Sequence, residues 1–256
     1  MDLGLRDRVY LLTGASRGLG LATGEQLVAD GARVVVSARD EQRVAAAVTT
    51  LEQRGGAGCA VGVTADLADP ATPGRLVATA TAEFGRLDGA LLSVGGPPPG
   101  SVAQADDAQW RQAFESVFLS VVRTARTVAA ELGSGGAIAL VLSSSVRAPV
   151  PGLGLSNGLR PGLAGAAKDL ADEYAPAGIR VVSLLPHRIM TDRNRELFAA
   201  TGDPAQAQAQ VEAQIPMGRL GEPAEFGRVA AFVLSPAASY LTGITVPVDG
   251  GAGRGL

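Results

Sequence analysis

The chain has 256 residues, 46% of them apolar and 18% charged, enough to bury a sizeable core and too apolar for a disordered chain. A net charge of −3 leaves no basic excess for nucleic acid, no apolar run reaches bilayer length, and the N-terminal MDLGLRDRVY lacks the apolar core of a signal peptide, so a soluble cytoplasmic protein is expected, away from membranes. The lone cysteine, Cys59, excludes an internal disulfide and a cysteine-based zinc site, and no metal is expected.

Short apolar, β-branched runs alternate with Ala-rich amphipathic segments. The strands are expected at 9–12, 33–37, 59–63, 89–94, 137–142, 179–185 and 244–248. Several are apolar throughout, as in parallel strands covered on both faces. Helical periodicity lies between them at 18–30, 40–54, 70–84, 106–132, 153–175 and 222–234. This alternation predicts an α/β fold: a doubly wound parallel sheet of about seven strands flanked by helices. Neither a linker nor an internal repeat divides it, so residues 1–256 are expected to form one domain. The segment TGDPAQAQAQ (201–210) suits a mobile helix or lid, and a substrate lid is expected over 191–216.

The first strand runs directly into TGASRGLG (13–20), in which Gly14, Gly18 and Gly20 have the spacing GxxxGxG. Glycines there let the backbone approach a pyrophosphate, which rests on the N-terminus of the following helix, with Ser16, Arg17 and Leu19 in the same loop. The end of the second strand selects the cofactor. A ribose 2′-hydroxyl calls for a carboxylate, a 2′-phosphate for a cation. This strand ends Ser37, Ala38, Arg39, with no acid before Asp40, and Arg17 offers a second guanidinium. NADP(H) is therefore expected over NAD(H). Asp66, in TADLADP, suits an adenine amino group or equally a turn.

TGASRGLG (13–20), the Asp66–Leu67 pair and GRLGEPAEFGRVAAFVLSPAASYLTGITVPVDGG (218–251) together resemble the short-chain dehydrogenase/reductase family, most closely its 3-oxoacyl-carrier-protein reductase-like members. The resemblance runs nearly end to end and implies a Rossmann-type sheet, with residues 1–256 as a single dinucleotide-binding and catalytic domain. It implies a homotetramer or homodimer and a small-molecule substrate, an acyl thioester among the options. It also implies an Asn–Ser–Tyr–Lys catalytic set, in which the tyrosine moves a proton and the lysine lowers its pKa and holds the nicotinamide ribose. By position Ser143 matches the serine, although Ser144 and Ser145 blur the register. Ser156 stands where the tyrosine is expected, Arg160 where the lysine is, and Val117 where the Asn is. LLSVGG (91–96) keeps only Gly95 of the usual Asn-Asn-Ala-Gly. In LLPHRIMTDR (184–193) the resemblance places Pro186, Ile189 and Thr191 around the nicotinamide, with His187, the only histidine, in place of a glycine.

No shifted register restores the missing pair. The residues four beyond Tyr10, Tyr174 and Tyr240 are Gly14, Gly178 and Ile244, and the single lysine, Lys168, suits a helix surface. Ser156 and Arg160 can position groups but do not titrate near neutral pH, whereas His187 does, so it is either a replacement acid or a loop histidine. Asp192, Arg193 and Arg195 open the lid, where they could meet an anionic substrate or carrier surface or simply be solvated. GGPPPG (95–100) walls a pocket or forms a rigid turn. The expected activity is hydride transfer between NADP(H) and a carbonyl or alcohol, 3-oxoacyl or related, at a divergent site. The alternatives are a non-redox enzyme (elimination, isomerisation or cyclisation) and a non-catalytic NADP-binding protein.

Overall fold

In the computed structural model, which describes residues 2–254, seven strands form one wholly parallel sheet. They are β1 (Val9–Thr13), β2 (Arg33–Ala38), β3 (Ala60–Thr64), β4 (Gly89–Leu92), β5 (Ala137–Val141), β6 (Arg180–Pro186) and β7 (Thr245–Val248). The spatial order is β3-β2-β1-β4-β5-β6-β7. The chain winds outward from β1 to β3, then crosses back to β4 on the other side of β1. That reversal opens a crevice beyond the carboxyl ends of β1 and β4, the place where doubly wound sheets bind ligands.

Both faces of the sheet are covered, which explains why its strands are apolar without alternation. Val9 and Leu11 of β1 and Ile138 and Leu140 of β5 join one core with Leu76, Val128 and Leu163 from the helices α3 (Thr72–Phe84), α5 (Ser120–Glu131) and α6 (Gly154–Tyr174). The alternate residues Tyr10, Leu12, Ala139 and Val141 join the opposite core with Leu27, Leu51 and Phe226 from α1 (Gly18–Ala29), α2 (Glu41–Gly55) and α9 (Pro223–Leu234). On that second face Gly227 lets α9 lie directly on α1: a Cβ there would stand 2.4 Å from the Ala22 carbonyl oxygen.

The structure departs from the sequence expectation most clearly in two places. The helix expected over 106–132 is broken into α4 (Asp107–Ala113) and α5 by a π-helical stretch, Phe114–Leu119. The wider turn accompanies stacking of Phe114 on Phe118, with ring centroids 5.1 Å apart. Strand β4 ends at Leu92 rather than 94, because the next backbone groups turn to a side chain: Ser93 N–H donates to Thr13 Oγ1 and Ser93 O accepts from it. The segment 191–216 holds two helices, α7 (Asp192–Ala199) and α8 (Pro204–Glu212), the latter capped by Asp203, which accepts from the Gln206 N–H. No helix among the described residues is long and apolar enough to cross a membrane.

Candidate active site

At the mouth of the crevice the Thr13 hydroxyl bridges the ends of β1 and β4, donating to Ser93 O at 2.8 Å and accepting from Ser93 N–H at 2.9 Å. Gly14 and Gly18 both have positive φ, 58° and 59°, which side chains disfavour. A Cβ on Gly14 would meet Ser93 O at 2.6 Å, and one on Gly20 would meet the Ala15 Cα at 2.8 Å. Helix α1 then begins with Arg17 as an N-cap that makes no side-chain capping bond, and its first turn carries no acid. Its leading N–H groups are left to an outside acceptor, which suits an anion. Ser16 is half-buried in this loop, Leu19 packs on the core beneath it, and Thr191 faces Gly18 from across the crevice, 3.6 Å from where a Cβ would be.

Arg39 lies exposed just past β2, whereas the Asp40 carboxylate is occupied as the N-cap of α2, accepting from the Arg43 N–H. The acid nearest the end of β2 is thereby engaged with the backbone of α2. The Arg17 guanidinium does not stand free beside Arg39: it pairs with Glu196 of α7 at 3.1 Å, so the loop and the 191–216 segment are tied together. Asp66 forms a turn, Oδ1 accepting from the Ala68 N–H, while its side chain stays exposed, and Leu67 packs against the core. The turn role and a contact to adenine are thus compatible.

The other end of the crevice gathers the serines. Strand β5 gives way to a 3-10 turn, Ser144–Val146, in which each serine has its own partner. Ser143 Oγ accepts from the Ser145 N–H at 3.1 Å, Ser144 Oγ lies 2.8 Å from His187 Nδ1, and Ser145 Oγ lies 3.2 Å from Ser156 Oγ. The spacing argument selected Ser143, yet it is Ser145 that meets Ser156 and Ser144 that meets the histidine. The run of three serines was the available signal, but spacing alone does not reveal which way each side chain turns. Gly95 faces open space, with no atom within 4 Å of a Cβ built there.

Ser156 and Arg160 are both buried, one turn apart on α6. Arg160 is only 5% exposed and Nη1 donates to the Val141 carbonyl at 2.6 Å, while its buried Nε has no partner among the described residues. Burial, with the positive charge of Arg193 added, lowers its pKa to about 10, so it remains a cation at neutral pH. Beneath this part of α6, Gly158 leaves room for the Trp110 ring, which would be 2.6 Å from a Cβ. Pro186 ends β6 beside Val248, Ile189 is buried, and Asn194 Nδ2 donates to the Ile189 carbonyl. His187 is half-buried; burial and Arg188 lower its pKa, and Asp249 partly opposes them. Val117 is buried in the π-helical stretch.

The remaining phenols and the ammonium lie elsewhere. Tyr10 is in the core with its hydroxyl on the Leu234 carbonyl, Tyr174 ends α6 about 27 Å along the axis from Ser156, and Tyr240 is fully exposed. Lys168 pairs with Asp172 on the surface of α6. Among the described residues no three His, Cys, Asp or Glu side chains are grouped to hold a metal ion.

Residues 14–253 match the family described as enoyl-(acyl carrier protein) reductase. Dehydrogenase/reductase SDR family member 4 of Bos taurus is 35% identical over 256 residues, which covers 97% of this chain and 88% of the relative. Among solved structures, the apo form of a short-chain oxidoreductase from Pseudomonas aeruginosa PAO1, described as containing an atypical catalytic center, superposes with a TM-score of 0.93 at 30% identity over all of both chains. Its NADPH-bound form gives 0.91 at 31% identity, covering 98% of each chain. L-sorbose reductase from Gluconobacter frateurii, in complex with NADPH and L-sorbose, gives 0.92 at 28% identity, again over all of both chains. Fold, phosphate loop and sequence agree: this chain belongs to the short-chain dehydrogenase/reductase family.

Proposed function

We propose that the protein is an NADP(H)-dependent oxidoreductase whose active site lacks the family's phenol–ammonium pair. The observation that carries this reading is the state of the cofactor cradle. Its glycines sit where a Cβ would collide or a positive φ is required, its helix terminus is uncapped by a side chain, and the acid nearest the end of β2, Asp40, caps α2. When bound, NADPH supplies a hydride to a carbonyl carbon, or NADP removes one from an alcohol. Gly14 to Gly20 hold the pyrophosphate, Arg39 the 2′-phosphate, and Asp66 and Leu67 the adenine. Thr191, Pro186, Ile189 and Gly95 surround the nicotinamide, and Arg160 turns toward its ribose. Ser143 and Ser156 orient the substrate oxygen. The helices α7 and α8 act as a lid over a small substrate, a 3-oxoacyl or related carbonyl compound. The NADPH complexes of the two structural relatives support the cofactor assignment, and the atypical catalytic center described for one of them is in keeping with a divergent site here.

A second reading is favoured by the buried Ser156, which puts no ionisable group at the tyrosine position. On it the protein binds NADP(H) without redox turnover, or uses the pocket for elimination or isomerisation. Titration with NADPH, followed by absorbance at the reduced-nicotinamide band over a panel of ketones and 3-oxoacyl thioesters, separates these readings. Binding with oxidation of NADPH is expected. Binding without oxidation would transfer the conclusion to the second reading, and no binding would overturn both.

A further inference from the structure

If the site reduces a carbonyl, the substrate oxygen must gain a proton, and neither Ser156 nor Arg160 has one to give near neutral pH. The Ser156 hydroxyl is buried and shares its hydrogen bond with another hydroxyl, Ser145 Oγ. Ser144 differs from the serines on either side of it: its Oγ lies 2.8 Å from a titratable atom, His187 Nδ1. The contact follows from the topology. Strands β5 and β6 are hydrogen-bonded neighbours, so the turn after β5 and the residue after β6 emerge side by side at the carboxyl edge of the sheet. Both partners are anchored through their backbones: His187 N–H donates to the Val248 carbonyl at 3.2 Å, and Ser144 is held in a turn closed by Ser143 Oγ on the Ser145 N–H. The ring is half-exposed. The charged groups bearing on it are Arg188 beside it in the chain and Asp249 just past β7, and both line a cavity of about 260 Å³ next to the ends of these strands.

We propose that Ser144 is the catalytic proton donor to the substrate oxygen and that His187 acts through it as the group that restores the proton. This rests on the oxidoreductase reading above. In reduction, hydride adds to the carbonyl carbon, the C=O π pair moves onto oxygen, and that oxygen takes the proton from Ser144 Oγ. Ser144 Oγ takes the Nδ1 proton of the imidazolium, leaving neutral imidazole, which regains a proton from water. Alcohol oxidation runs the same steps backward, with neutral His187 as the final acceptor. The pair replaces one phenol by two weaker parts, a hydroxyl that reaches the substrate and an imidazole that titrates in the working range.

The test uses the full-length protein, a carbonyl substrate found in the panel, and the variants His187→Asn, Ser144→Ala and the double variant. Asn keeps a hydrogen-bond donor near Nδ1 but does not titrate. Wild-type kcat/KM for reduction is expected to fall as pH rises through the His187 titration, and oxidation to rise through it. His187→Asn and Ser144→Ala should each lower kcat by about 100-fold or more and flatten the profile, while NADPH affinity stays within about twofold. The double variant should be no slower than the worse single one. A readout independent of turnover is the NMR titration of the single imidazole, whose midpoint should move in Ser144→Ala. Turnover with unchanged kcat and pH profile in both single variants, or an imidazole titration that Ser144→Ala leaves superimposable, would overturn this assignment alone. No hydride transfer to any carbonyl by the wild type would overturn the oxidoreductase reading and this one together.

Discussion

Arg160 is the buried charge whose removal has a calculable sign. Its guanidinium is 5% exposed, pairs with no carboxylate, and makes one backbone hydrogen bond, to Val141. The fall in its pKa to about 10 corresponds, at about 1.4 kcal/mol for each tenfold change in proton affinity, to about 3 kcal/mol of destabilisation of the charged fold. Because folding lowers this pKa, the folded chain holds the proton less firmly than the unfolded one. The penalty is therefore fully present at neutral pH and is relieved only as pH rises above about 10. Arg160→Met keeps most of the side-chain volume and removes the charge. It also strips the Val141 carbonyl of its guanidinium donor, which returns about 2 kcal/mol of cost. The balance is a gain of about 1 kcal/mol without cofactor, or about 3 °C in Tm for a domain of this size, measured by calorimetry. With NADPH the order should reverse. At 100 times Kd the wild type gains about 2.7 kcal/mol, and a variant bound about tenfold more weakly gains only about 1.4 kcal/mol. An apo Arg160→Met protein that is less stable than wild type by about 2 kcal/mol would refute the reasoning, since the guanidinium would then be satisfied within the fold.

Three further outcomes follow from the same geometry. Arg39→Glu should weaken NADPH by about 10- to 100-fold while leaving NADH binding unchanged or improved, read by fluorescence titration; an unchanged NADPH-to-NADH ratio would remove Arg39 from the 2′-phosphate site. Gly14→Ala combines a φ of 58° with a Cβ 2.6 Å from Ser93 O, so it should lower urea stability by about 2 kcal/mol and abolish detectable dinucleotide binding in calorimetry. Asp88, 7% exposed, accepts from the Val9 N–H and from the guanidinium groups of Arg8 and Arg86, and so holds the start of β4 to β1. Asp88→Ala should cost about 3 to 5 kcal/mol in urea unfolding, and a loss below about 1 kcal/mol would show that this cluster is solvated.

The sheet was legible in the sequence because burial on both faces leaves strands such as VYLL and AIALVL without polar interruptions, and no helix among the described residues has that combination of shortness and apolar continuity. The phosphate loop was legible because GxxxGxG directly after a strand has a steric meaning. The π-helical stretch at Phe114–Leu119 was not, since FESVFLS keeps helical periodicity on either side and the extra residue in the turn shows only in space. The pairing of Arg17 with Glu196 spans 179 positions and joins two exposed side chains, so no local pattern announces it. Which serine hydroxyl meets which partner was not legible for a related reason. Spacing to Ser156 singles out Ser143, but a 3-10 turn points consecutive side chains in different directions, so that Ser144 lies against His187 and Ser145 against Ser156.

The residues at 156, 160 and 187 make sense as one change rather than three. A buried lysine at 160 without a carboxylate nearby would tend to lose its proton, whereas arginine under the same burial keeps its charge at neutral pH. Arginine therefore preserves a positive charge one helical turn from position 156 but withdraws from proton exchange. With that exchange gone, a tyrosine at 156 would still have a cation to lower its pKa but no neighbour to return its proton, and serine loses little by comparison. On the oxidoreductase reading the proton then comes from a group that titrates near neutrality. Histidine is the only side chain whose ordinary pKa already lies there, and the one histidine of this chain stands against a serine at the carboxyl edge of the same sheet. Changing Ser156 and Arg160 back to Tyr and Lys in the presence of His187 should therefore create a second, competing proton route. It would be visible as an additional limb at higher pH in the profile of kcat/KM, and a profile with the His187 limb alone would show that position 156 no longer faces the substrate.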